Sequence, residues 1–192
     1  MLAADIASLD VDTEIAQGLL VGLEAQRATA RQAVVDAMTS ARYLALLDRL
    51  DHVDEPELSG ASVTLTDLAV AEWRRTKRHL SRIPDDPTDD QLHDGRLRVK
   101  RARYAAELAA HELGSRGKRF IQAAKDAQTL LGSHQDATVA ENEVRLWNDA
   151  APDAGVAAGR LIALQREHKL AARAAWPGMH ERLLAVGKEL AR

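Results

Sequence analysis

The stretch Leu92-His93-Asp94-Gly95-Arg96-Leu97-Arg98-Val99-Lys100-Arg101-Ala102-Arg103-Tyr104 carries most of the structural information in this chain. A helix turns by about 100° per residue. On that wheel His93, Arg96, Lys100 and Arg103 fall in one narrow arc, and Glu107 continues it. Leu92 and Val99 flank the arc on one side; Leu97, Tyr104 and Leu108 flank it on the other. Charges therefore sit in the middle of the face that an amphipathic helix normally buries. Unpaired cations cannot be packed into an apolar core, because each carries a heavy desolvation cost. The arc must face an aqueous groove, meet an anion, or find acids on neighbouring helices. A linear polyanion satisfies the first two conditions, since Arg and Lys bind successive phosphates through charge-assisted hydrogen bonds. His93 adds a contact that depends on protonation. A run of Arg and Lys is more often a solvated face with snorkelling stems, but apolar residues on both flanks argue against that here.

Working outward, the composition is that of an all-α protein. The 192 residues include one Phe, two Tyr and three Trp. Ala and Leu dominate the apolar set, which favours helices packed closely through small side chains. There is no cysteine, so disulfides, thiolate metal sites and cysteine nucleophiles are excluded. The first ten residues lack a basic region followed by an apolar run, and no stretch approaches the roughly 20 apolar residues of a membrane span. The chain reads as soluble and cytoplasmic. Net charge is −3, which on average disfavours a polyanion partner. The charges are segregated, however: residues 71–82 hold five cations against Glu72, and residues 93–103 hold five against Asp94.

Hydrophobic periodicity predicts an antiparallel helical bundle of seven to eight helices in a single domain, 1–192. The first is expected over residues 13–38 and the second to residue 50, capped by Thr39 or Ser40. Residues 51–64 read as a loop. A third helix is expected over 66–81, capped by Thr64 or Thr66, and Pro84 and Pro87 break the chain after it. A fourth begins at Asp89 or Asp90 and runs to Glu112. The fifth, 118–131, stops at Gly132 as a left-handed C-cap. Asp136 caps the sixth, a turn follows at 151–153, and Pro177 starts a short final helix after a long seventh.

At the basic stripe the pattern also resembles a known family. CHAD domains carry a His-x-x-Arg-x-x-x-Lys-x-x-Arg-Tyr helix, which His93, Arg96, Lys100, Arg103 and Tyr104 match in order and spacing. Residues 130–137, with Leu131-Gly132-Ser133-His134-Gln135-Asp136, resemble the family's Leu-Gly-x-x-Gln-Asp turn. Ser40-Ala41-Arg42-Tyr43-Leu44 and Trp73-Arg74-Arg75 are similar to further elements, in register from Leu19 to Leu184. The resemblance implies two bundle-like halves and a basic groove that binds inorganic polyphosphate without catalysis or cofactor. It also implies polyphosphate granules or a CYTH-type triphosphatase as associates. Only one motif helix is present, so the chain is expected to cover the C-terminal two-thirds of a full domain, with a homodimer as one way to restore the counterpart. Gly95 replaces a usually apolar residue and costs up to about 1 kcal/mol against Ala.

Further cations are candidates for the same ligand. Arg75, Arg78 and Arg82 form a second stripe beside Arg74 and are expected on the opposite wall of the groove. Arg27 and Arg31 interrupt an apolar stripe of the first helix, and Lys125 shares a face with Lys118 and Gln122. Arg160, Arg166 and Arg173 read as a solvated face, His134 as an exposed turn residue. His93-Asp94 matches the dipeptide of metal-dependent phosphohydrolases, but adjacent helical residues diverge by about 100° and Arg96 and Lys100 would repel a cation. His111-Glu112 lacks the second His of a zinc-protease helix, and no Gly-rich phosphate loop or nucleophile elbow is present. Nucleic-acid binding is disfavoured, because aromatics for base stacking are few. A purely structural module with an internally paired stripe is the other alternative.

Overall fold

A computed structural model describes residues 2–9, 13–52 and 62–192. Among them are seven α-helices, one 3₁₀ turn and no strand: α1 Leu2–Ser8, α2 Thr13–Thr39, α3 Ala41–Asp51, α4 Leu65–Leu80, α5 Asp89–Leu108, α6 Ala110–Ala150 and α7 Gly155–Leu190, with the 3₁₀ turn at Pro152–Ala154. The chain is all-α, as composition and periodicity predict. Most of the loop expected at 51–64 lies outside the described residues.

Local chemistry sets the helix starts. The Ser40 side chain accepts a hydrogen bond from the Tyr43 amide at 3.2 Å and caps α3. Thr64 and Asp67 cap α4 reciprocally, and Thr88 and Gln91 do the same for α5. Each box satisfies amides that the first turn leaves without a partner.

Short connections make α4 to α7 antiparallel neighbours around one core. Trp73 of α4 meets Phe120 of α6 edge-on, with ring centroids 5.1 Å apart. Leu80, Leu92, Val99, Leu131, Leu183 and Leu190 fill the space around them. Alanines at 102, 106, 123, 124 and 127 are buried and let the α5 and α6 backbones approach. Gly187 of α7 lies so close to the Trp73 indole that a Cβ there would overlap the ring. A second cluster joins Ile6, Ala16 and Leu19 to Val144, Ala158 and Leu161 at the far ends of α6 and α7.

Several expected boundaries are corrected. No segment was anticipated at Leu2–Ser8, where α1 forms and its buried Asp5 accepts a hydrogen bond from Gln165 Nε2 at 2.8 Å. The fourth helix ends at Leu108, and the left-handed glycine is Gly114, with φ 57°, at a kink inside α6. Gly132 and Asp136 neither stop nor start a helix: α6 runs through both. Its buried face continues unbroken through Ala127, Leu131, His134, Ala137, Glu141 and Val144, and that continuity outweighs a local cap signal. Pro177 lies inside α7. Proline there removes one intrahelical bond, yet Trp176, Leu183 and Leu190, all buried, keep both sides of it on the core.

Candidate functional site

The stripe sits where α5 passes along α6. Leu92, Gly95, Val99, Ala102 and Ala106 form the buried arc of α5. Next to it, His93, Arg96 and Arg103 are half-buried and Lys100 is exposed. Beyond them the second apolar arc lies open, with Leu97 37%, Tyr104 45% and Leu108 73% exposed. The charges therefore occupy the edge of the core, facing solvent. Gly95 has a use there: a Cβ would stand 3.1 Å from Ile83 Cδ1 and 3.5 Å from Leu80 Cδ2, so glycine lets α5 seat closely against the end of α4.

The stripe is short of acidic partners. Arg103 reaches Glu107 at 3.7 Å, a long pair between partly exposed groups. Among the described residues no carboxylate pairs with His93, Arg96 or Lys100. His93 Nδ1, Arg96 Nε and Arg103 Nε are buried without a hydrogen-bond partner. Tyr104 lies under two of the cations, 4.7 Å from the Arg103 guanidinium carbon and 5.7 Å from Lys100 Nζ, which steadies them through its π face. A Cβ at Gly132 would lie 3.7 Å from Arg96 Nε, so Arg96 rests on α6 at that glycine. In an antiparallel pair, seven residues along α5 match seven back along α6. Arg103 is then level with Lys125, which is exposed on the face of α6 that carries Gly132.

The other predicted cations lie elsewhere. Arg74, Arg75 and Arg78 are exposed on the side of α4 opposite Trp73 and Leu80. Arg75 pairs with Glu72 at 3.4 Å, and Arg74 lines a separate depression with Arg116 and Arg192. Arg27 and Arg31 are exposed on the outer half of α2, where Arg27 meets Glu24 at 3.5 Å.

A charge network that the sequence did not disclose holds α5, α6 and α7 together. Lys169 Nζ lies 2.7 Å from Asp89 Oδ2 and 3.2 Å from Glu141 Oε2. Arg173 bridges the Pro87 carbonyl oxygen and the Asp89 carboxylate. Arg145 and Arg166 reach Glu141 at 2.6 and 3.2 Å. His134 is not an exposed turn residue: it is 1% exposed, with Nε2 3.3 Å from Asp89 Oδ1. Burial opposes ionisation of Asp89 and Glu141, but the hydrogen bonds and charge of Lys169, with Arg173 at the first and Arg145 and Arg166 at the second, outweigh it and hold both carboxyls low. Burial also acts against the Lys169 charge, and the two carboxylates more than offset it. Burial holds His134 low, with the Arg173 and Lys169 charges adding to it and Asp89 opposing. Of Arg160, Arg166 and Arg173, expected on a solvated face, the first two are exposed, while Arg173 turns inward to Asp89, as does Lys169 one turn before it. Among the described residues no three His, Asp or Glu converge as metal ligands, and no helix is long and apolar enough to cross a membrane.

The family model of the CHAD domain matches residues 2–145. Two curated relatives are uncharacterized proteins of Mycobacterium tuberculosis, from strains CDC 1551 / Oshkosh and ATCC 25618 / H37Rv. Each is 35% identical over 133 residues, covering 62% of this chain and 24% of the relative. The chain thus spans about a quarter of the length of the curated relatives it matches. No solved structure matches it. With the all-α bundle, the single His-x-x-Arg-x-x-x-Lys-x-x-Arg-Tyr helix and a family match over most of its length, the chain belongs to the CHAD-domain family.

Proposed function

We propose that the chain binds inorganic polyphosphate, without catalysing a reaction on it, along the α5 stripe of His93, Arg96, Lys100 and Arg103. The observation that carries this is the set of buried, partnerless nitrogens on His93, Arg96 and Arg103. An unsatisfied buried donor such as the Nε–H of Arg96 or Arg103 costs on the order of 1–3 kcal/mol, and phosphate oxygens are acceptors that would recover it as charge-assisted bonds; His93 Nδ1 joins them when it carries a proton. The four side chains span ten residues, roughly 15 Å along the axis at 1.5 Å per residue. That is a track for an extended anion rather than a cup for one phosphate. Lys125 extends the track onto α6. The Arg145, Arg166, Lys169 and Arg173 cations are a poorer site, because each already holds a carboxylate partner, Glu141 or Asp89.

Competition tests the ligand class. Labelled long-chain polyphosphate should bind with an affinity that falls as salt rises, and unlabelled polyphosphate should displace it far better than duplex DNA at equal phosphate concentration. Equal displacement by DNA would favour a general nucleic-acid or polyanion surface. Absence of binding at low salt would remove the proposal.

A further inference from the structure

Two glutamines flank Gly132, the α6 residue on which Arg96 rests. Gln128 lies four residues before it and Gln135 three after, spacings that put all three on one side of a helix. On the helical wheel the glutamines stand between Gly132 and the buried Leu131, on the flank of α6 turned toward α5, whereas Lys125 stands on the outer side. The antiparallel register that sets Arg96 at Gly132 brings Lys100 level with Gln128 and His93 level with Gln135. Both glutamines are half-buried. Their polar neighbours on α6 are engaged: Thr129 and Ser133 donate to carbonyls of their own helix at 3.1 Å, and Gln122 donates to Asp126 at 2.8 Å. The amides of Gln128 and Gln135 have no partner among the described residues, and neither is sealed from solvent as His93 Nδ1 and Arg96 Nε are.

We propose that Gln128 and Gln135 form the inner wall of the polyphosphate track and set its preference for a single phosphate chain; the inference rests on the polyphosphate reading above. Each amide offers two N–H donors without charge. A cation at either position would repel the stripe before any ligand arrived, and a carboxylate would pair with it. An amide does neither and still donates to a phosphate oxygen. A lone phosphate chain can settle between two packed helices and meet Arg96, Lys100 and the glutamines from both sides. A duplex carries its phosphates on a broad cylinder, so it meets the exposed cations at the rim and leaves the glutamines untouched. Neutral donors also release no counterions on binding, so their share of the affinity persists as salt rises.

Gln128→Met/Gln135→Met keeps the length and helix preference of both side chains and removes only the amides. Long-chain polyphosphate should bind this variant about tenfold more weakly than the wild type, as the loss of two neutral hydrogen bonds requires. The slope of log affinity against log salt should not change. Whatever binding duplex DNA shows at low salt should be the same for both proteins. Side-chain amide NMR of the wild type makes the test without a variant. The NH2 signals of Gln128 and Gln135 should shift as long-chain polyphosphate is added, while that of Gln32, exposed on α2 where it donates to Asp36, should not. Equal polyphosphate affinity of the two proteins, a loss that extends to DNA or flattens the salt dependence, or unmoved Gln128 and Gln135 signals would each overturn the inference and leave the α5 stripe standing. A wild type that binds no polyphosphate would overturn both.

Discussion

Arg96 and Arg145 show at single-residue scale why two arginines of one protein have different uses. Arg145 is matched by Glu141 at 2.6 Å; Arg96 has a buried Nε and no acid. The histidines add a pH dependence with a definite sign. Burial, helped by the Arg173 and Lys169 charges and opposed by Asp89, keeps His134 below the ordinary imidazole value of 6.5, and burial, opposed by Glu181, does the same to His180. As pH falls past 6.5 the unfolded chain takes up these protons and the folded chain does not, so stability declines between 6.5 and the depressed folded values. Asp89 and Glu141 act lower down: their contribution is complete above the ordinary 3.8 and 4.5 and is lost as pH falls through their lowered folded values. Thermal unfolding should therefore show Tm dropping in two stages on acidification, with the first stage reduced in His134→Gln. A Tm that stays flat from about pH 7.5 to about pH 5 would contradict the histidine assignment.

At the scale of elements, the network at Asp89 fixes the start of α5, and so the register of the stripe against α6. Asp89→Asn leaves Lys169, 18% exposed, and Arg173, 22% exposed, short of a carboxylate. It should cost about 1–3 kcal/mol in denaturant unfolding; an unchanged midpoint would show that the network holds nothing. Gly187→Ala must push the 2% exposed Trp73 out of place and should cost about 1–3 kcal/mol as an overpacked core does, whereas Gly95→Ala should be tolerated because half-exposed Ile83 can yield. The starts of α3, α4 and α5 were legible in the sequence, the first two from the caps Ser40 and Thr64 and the third from the break at Pro84 and Pro87. The sequence misled at Gly132 and Pro177 because residues that usually interrupt helices were held helical by the buried faces of α6 and α7. The stripe was legible for a related reason: its charges break an apolar period, and that break survives in three dimensions as a half-buried, acid-poor row. The Asp89 network was not, because its members come from three helices whose pairing no single segment encodes.

For the whole molecule, charge is sorted by partner. The net −3 conceals one cation set paired with carboxylates between α5, α6 and α7 and another left open beside the core edge. Those two sets give the account its most direct test. Binding of long-chain polyphosphate should be compared among the wild type, Arg96→Ala/Lys100→Ala/Arg103→Ala and Arg145→Ala/Arg166→Ala, with helicity checked for each by circular dichroism. The stripe variant should lose at least about tenfold in affinity and show a shallower salt dependence, given about 1.5–3 kcal/mol for a charged hydrogen bond before screening. The Arg145/Arg166 variant should bind as the wild type does. Equal binding by the stripe variant, or a larger loss at Arg145 and Arg166, would contradict the assignment of the α5 stripe as the polyphosphate site.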